Sequence, residues 1–163
     1  MANTVQAIPA GYQGATPYLS IKGAARAIEF YKRAFNATER MRLEQPDGRI
    51  GHAELTIGGA LIMLADEFPE MNFRSPQTLG GSPVTIHIYV EDVDALGRQA
   101  AAAGATVLRP VQDQFYGDRT GQFEDPFGHR WSFATHIEDV SPEEMKKRMA
   151  HAMSEMGHGG EKE

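Results

Sequence analysis

The sequence predicts an α+β fold in which a strand–helix–strand–strand–strand module occurs twice and a helix follows at the C-terminus. Three observations carry this expectation. The stretch Tyr116–His136, YGDRTGQFEDPFGHRWSFATH, has the pattern of two strands around a Pro-Phe-Gly turn, and Gly51–Met63, GHAELTIGGALIM, repeats the plan in weaker form. A strand and a helix precede each hairpin in the same order, at a spacing of about 70 residues, as a duplicated module requires. Ser141-Pro142-Glu143-Glu144 is composed like a helix start, with a Ser N-cap, Pro in the first turn and Glu at the capping-box position.

In chain order, residues 1–14 are small, polar and punctuated by Gly and Pro, and are expected to form a flexible arm before the first module at 15–66. Thr16–Ile21 alternates well enough for a strand, with Pro17 tolerated near its start. Gly23 breaks it. Ala24, Ala27, Ile28, Tyr31 and Phe35 then recur at three- and four-residue steps, which predicts a helix that stops at Asn36. Ala37–Gln45 reads as a strand. Pro46-Asp47-Gly48 is a turn in which Pro presets φ and Gly accepts positive φ. Strands over Arg49–Ile57 and Ala60–Ala65 complete the module around Gly58-Gly59.

Residues 67–83 hold three prolines and two glycines and are expected to be a linker and lid. The plan repeats over 84–137: a strand at Val84–Val90, a helix at Val93–Ala103 with Asp92 as N-cap, a strand from Val107, and the last hairpin. Residues 138–156 supply the C-terminal helix. Met145, Met149, Ala152, Met153 and Met156 form one stripe on it, for packing on the chain's own sheet or on a partner subunit. Residues 157–163 are expected to be a disordered tail.

The 163 residues suffice for a core of ordinary size, and a formal net charge of -6 argues against nucleic acid as a partner, since phosphate binding needs a basic face. Without cysteine there is no disulfide framework, thiolate metal site or cysteine nucleophile. The N-terminus lacks the basic and apolar regions of a secretory signal, and no run of about 18 apolar residues suggests a membrane span. A cytoplasmic protein is expected.

The duplicated module, with Ala27-Ile28-Glu29-Phe30-Tyr31, Val90-Glu91-Asp92-Val93-Asp94, Tyr116-Gly117-Asp118-Arg119 and Glu124-Asp125-Pro126-Phe127-Gly128 in this order, resembles the vicinal oxygen chelate superfamily. That group contains glyoxalase I, bleomycin-resistance proteins and extradiol dioxygenases, and the motifs look most like its PhnB-like branch. The resemblance covers roughly Thr16–His136 and implies a U-shaped mixed-sheet trough with helices outside. It also implies four metal-ligand places in the metal enzymes, which fall here at Thr16, Met63, Thr85 and Ser132. None is His or Glu, and hydroxyls and a thioether are poor ligands for a catalytic divalent metal, so the usual family metal site is not expected.

Alternation of side chains along strands gives the trough lining. If Ala53, Leu55 and Ile57 face the helices, His52, Glu54 and Thr56 face inward. Thr85, His87 and Tyr89 share one face, as do Arg130, Ser132 and Ala134, while Trp131 and Phe133 turn to the helices. The candidate cluster is His52, Glu54 and His87, with Tyr89, Arg130 and His136 nearby. It is open to three readings: mutual pairing without chemistry, a small-molecule site, or a relocated metal site on His52, Glu54 and His87, since two His and one carboxylate is a known open ligand set. Beside the trough mouth, Asp118 and Arg119 form an ion pair fixing the loop, or Arg119 meets an anionic ligand group. Tyr116 is a loop anchor or an aromatic wall. Glu124 and Asp125 suit turn geometry.

The leading expectation is a small-molecule-binding protein without a metal cofactor, its ligand held by His52, Glu54, His87, Tyr89, Tyr116, Arg119 and Arg130. The alternatives are a divalent-metal-dependent lyase, isomerase or dioxygenase built on His52, Glu54 and His87, and a protein-interaction module acting through the Met-rich helix. A homodimer is expected, because two curled sheets leave edges that need covering.

Overall fold

A computed structural model describes residues 5–158. The first module comprises β1 (Tyr18–Ile21), α1 (Ala24–Phe35), β2 (Thr38–Glu44), β3 (Ile50–Ile57) and β4 (Ala60–Asp66). They form one four-stranded sheet in the order β1-β4-β3-β2, with β1 parallel to β4 and the other pairs antiparallel. A 3-10 turn (Pro69–Met71) and the short α2 (Pro76–Leu79) lead to the second module of β5 (Thr85–Tyr89), α3 (Val93–Ala103), β6 (Thr106–Asp113), β7 (Asp118–Glu124) and β8 (Arg130–His136). Its sheet, β5-β8-β7-β6, repeats the topology of the first. The helix α4 (Pro142–His158) follows. The expected tail lies outside the described residues beyond His158.

The helix α1 begins at Gly23 with no side-chain cap of its own. Asp66, at the end of β4, supplies it: one carboxylate oxygen accepts from the Gly23 and Ala24 amides (3.1 and 2.9 Å), the other from Ile50 N (2.6 Å). One side chain thus satisfies two helix-end donors and fixes the helix to the sheet. The helix ends at Asn36, whose φ of 55° is the left-handed cap expected there. Its buried face includes Ala24, Ala27, Ile28, Tyr31 and Phe35.

That face reaches across the modules. Tyr31 and Phe35 pack on Trp131 (ring centroids 5.3 and 5.1 Å), and Phe35 also meets Phe133 at 4.9 Å. Beneath them lies the buried Asp125. Its carboxylate accepts from Tyr31 Oη (2.6 Å), Trp131 Nε1 (2.9 Å) and the amides of Phe127 and His129 (2.9 and 3.0 Å). The turn role expected of Asp125 is present, and the same carboxylate joins α1 to the second module. One buried cluster contains residues of α1, α3 and both sheets, which leaves the opposite sheet faces for polar side chains.

Most of the α4 stripe does not pack on the chain's own sheets: Met149, Met153 and Met156 are exposed, while Met145 and Ala152 are half-buried. Arg148 holds the helix instead, through Glu138 (2.7 Å) and the Phe115 carbonyl (3.4 Å). Among the described residues no helix is long and apolar enough to cross a membrane.

Candidate functional site

In β3, Ala53, Leu55 and Ile57 are fully buried against the helices. Parity then turns His52, Glu54 and Thr56 to the other face. The register lines up Met41, Glu54, Met63 and Tyr18 across the sheet. Four polar side chains form a chain there. Tyr18 Oη lies 2.7 Å from His52 Nδ1, His52 Nε2 lies 3.2 Å from Glu54 Oε1, and Tyr12 Oη donates to Glu54 Oε2 at 2.6 Å. Glu54 is only 5% exposed. Its pKa is lowered, first by the Tyr12 hydroxyl and then, against the desolvation that burial imposes, by His52. An ionised Glu54 only accepts, so His52 Nε2 carries the proton and, in the neutral ring, Nδ1 accepts from Tyr18. This arrangement can hold a polar ligand group and relay a proton between Tyr18 and His52.

Tyr12 belongs to the segment expected to be a free arm. Its hydrogen bond to Glu54, and the Arg40 guanidinium 5.6 Å from its ring centroid, set it against the first sheet.

Beside Tyr18 is a cavity of about 490 Å³. Tyr18, Gly51 and Ala65 form its sheet side; Phe68, Met71 and Phe73 of the linker form its cover. Phe68 and Phe73 pair through two backbone hydrogen bonds, 2.7 and 3.1 Å, that close the loop between them. Phe73 meets Tyr18 edge-on at 5.7 Å, and the Arg49 guanidinium lies 4.5 Å from the Phe68 ring centroid. A second cavity of about 420 Å³ extends under the linker between Tyr18, Ser20, Phe73 and Arg74. Ser20 Oγ is buried there and, among the described residues, has no hydrogen-bond partner.

The second sheet carries its own polar group. His87 Nδ1 pairs with Ser132 Oγ at 3.0 Å, and the His87 ring meets Tyr89 edge-on at 5.1 Å. Tyr89 Oη donates to Asp118 Oδ2 (2.5 Å), Asp118 Oδ1 meets His136 Nδ1 (2.7 Å), and His136 Nε2 meets Asp139 (2.8 Å). Arg130 pairs with Glu124 at 3.2 Å. Tyr116 packs edge-on against Phe115.

Two expectations are corrected. The Asp118–Arg119 ion pair does not form. Arg119 lies in β7 on the Phe123 side, where Asp94 (2.7 Å) and Asp113 (2.8 Å) engage it, while Asp118 faces the opposite way to Tyr89 and His136. Arg119 therefore points to the α3 side, away from the other candidate residues. Nor are His52, Glu54 and His87 assembled into a metal site. His52 and Glu54 stand in the first sheet and His87 in the second, each with its own partners, and among the described residues no group of three or more His, Cys, Asp or Glu could hold a metal ion. Tyr12, Tyr18 and Phe73 were not among the expected residues. Tyr18 had a signal, since it shares strand parity with Thr16.

The family model described as the Glyoxalase/Bleomycin resistance protein/Dioxygenase superfamily matches residues 17–133. The chain belongs to this superfamily. Uncharacterized proteins of Mycobacterium bovis and Mycobacterium tuberculosis strain H37Rv are each 45% identical to it over 147 residues, which span 88% of this chain and 94% and 84% of theirs. Among solved structures, TioX from Micromonospora sp. ML1 is 27% identical with a TM-score of 0.61, covering 79% of this chain and all (100%) of that one. The PhnB protein from Bacillus cereus shares the fold at 18% identity and a TM-score of 0.57, over 76% of this chain and 99% of that one.

The superfamily metal is not matched by the donors present at the four places the resemblance implies. Met63 lies between Tyr18 and Glu54, Ser132 opposite His87, Thr85 opposite Arg130, and Thr16 precedes β1. A thioether and three hydroxyls do not suit a catalytic divalent ion.

Proposed function

We propose that this superfamily member binds a small aromatic molecule in the 490 Å³ cavity under the Phe68–Phe73 loop, without using the family's usual metal places. One observation carries the reading: Tyr18 is at once a wall of the cavity and the end of the Tyr18–His52–Glu54 chain. A ligand there meets an aromatic cover, an apolar floor and a polar group at a single position, the composition of a small-molecule site. Sequestration of a toxic compound is the physiological use that this geometry and the bleomycin-resistance kinship suit.

A thermal-shift screen of aromatic compounds tests it. At least one compound should raise the melting temperature by several degrees, as mass action requires of a ligand well above its Kd. The shift should vanish in Phe73→Ala, weaken in Tyr18→Phe and survive treatment of the protein with a chelator. Flat curves for every compound, or shifts indifferent to Phe73, would sink the proposal.

A further inference from the structure

Glu54 is bonded to a phenol that no element of the fold supplies. Tyr12 lies before β1, and residues 5–11 leading to it are all exposed, Val5 and Ile8 included. No helix or strand forms there. Only Tyr12 turns inward, to donate to Glu54 Oε2 at 2.6 Å across 42 residues of sequence, with Arg40 over its ring. The acceptor is the opposite case. Glu54 sits in the middle of β3, paired on both sides by β2 and β4, 5% exposed, with its other oxygen on His52. A carboxylate so buried needs a donor at Oε2, and leaving it unpaired is costly. The fold thus contains a fixed acceptor whose donor arrives on an exposed segment outside the helices and strands.

We propose that Tyr12 is a tethered stand-in for the ligand, occupying a phenol-recognising position at Glu54 from which an incoming aromatic hydroxyl displaces it. This rests on the binding reading above and narrows the ligand to an aromatic hydrogen-bond donor. The exchange is donor for donor: the phenol of the ligand replaces the phenol of Tyr12, and Glu54 is never left unpaired. The ligand ring takes the place beside Arg40, where a cation over a π face is favourable. A tethered group competes at an effective concentration in the millimolar range. A bare phenol therefore binds weakly, and a ligand that also reaches Tyr18 and the cavity under Phe73 competes successfully. An aromatic ether, lacking the donor, leaves Glu54 Oε2 unpaired and is rejected.

Isothermal titration calorimetry on the full chain, with 4-nitrophenol and 4-nitroanisole as probes below the pKa of the phenol, tests this. Tyr12→Ala should bind 4-nitrophenol roughly tenfold more tightly than the parent chain, because the competitor is gone. Binding of 4-nitroanisole should not change. Adding Glu54→Met to Tyr12→Ala, with an intact melting transition as proof of folding, should remove the gain. The inference is overturned by no gain in Tyr12→Ala, by an equal gain for the anisole, by a gain that survives Glu54→Met, or by absence of phenol binding throughout. Aromatic binding that depends on Phe73 but is indifferent to Tyr12 would overturn this inference and leave the broader reading standing.

Discussion

His136 meets a carboxylate through each ring nitrogen, so folding favours its protonated form. Its pKa is raised, first by Asp118 and then by Asp139. Stabilisation from a group raised in this way is fully present below the unfolded pKa of about 6.5, and is lost as pH climbs through the folded value. Asp118 runs the other way. Burial raises its pKa, but the bonds from Tyr89 and His136 outweigh burial and hold it low, so its contribution fades as pH falls through that lowered value. The melting temperature of the parent chain should exceed that of His136→Ala by more near about pH 6 than near about pH 9. Scanning calorimetry across the range measures this, and a gap that ignores pH would show that the imidazolium adds nothing. Strand parity in the sequence suffices to orient His52 and Glu54, because Ala53, Leu55 and Ile57 have to face the helices. Parity cannot reveal Tyr12, which meets Glu54 from a segment with no period of its own. Arg119 is misplaced for another reason: the sequence reads its stretch as a loop, whereas β7 already begins at Asp118, and alternation from Phe123 then turns Arg119 to the helix side.

At the turn into β7, backbone rather than side chains sets the geometry between elements. Gly117 precedes β7 with a φ of 95°, and its carbonyl accepts from the Ile137 and Glu138 amides at 2.9 and 3.0 Å. A Cβ there would run into the Glu138 carbonyl oxygen and against Val140. The turn thus fixes where the chain leaves β8 for α4. Gly117→Ala meets both a conformational and a steric penalty and should cost about 2–4 kcal/mol in urea denaturation. A loss under about 1 kcal/mol would mean that the 137–140 segment simply moves aside. The linker is the complementary case. Its three prolines mark it in the sequence as a segment outside the periodic elements. Its closure through Phe68 and Phe73 is not legible, because a single isolated bridge leaves no alternation to read.

At the scale of the whole molecule, the duplicated plan is the part most visible in the sequence, since helix period, turn residues and repeat spacing agree with one another. The device that joins the two copies is less visible. Asp125 is one residue of a turn motif, yet it collects four donors, and Tyr31 comes from the other module. Removing the carboxylate leaves the Tyr31 hydroxyl and the Trp131 N–H buried without it, at about 1–3 kcal/mol for each unsatisfied group. Asp125→Ala should therefore lower unfolding free energy by about 3 kcal/mol or more. Trp131, the single tryptophan, fully buried and bonded to this carboxylate, reports the transition by fluorescence. Destabilisation alone does not establish a link between modules, because the turn amides also lose their acceptor. A double-mutant cycle with Tyr31→Phe isolates the cross-module bond, since that change removes only the hydroxyl. We expect a coupling of about 1 kcal/mol or more. Additive losses would reduce Asp125 to a local turn residue and leave the shared core and bonds such as Gln99 to Arg33 and Asn36 to hold the modules together.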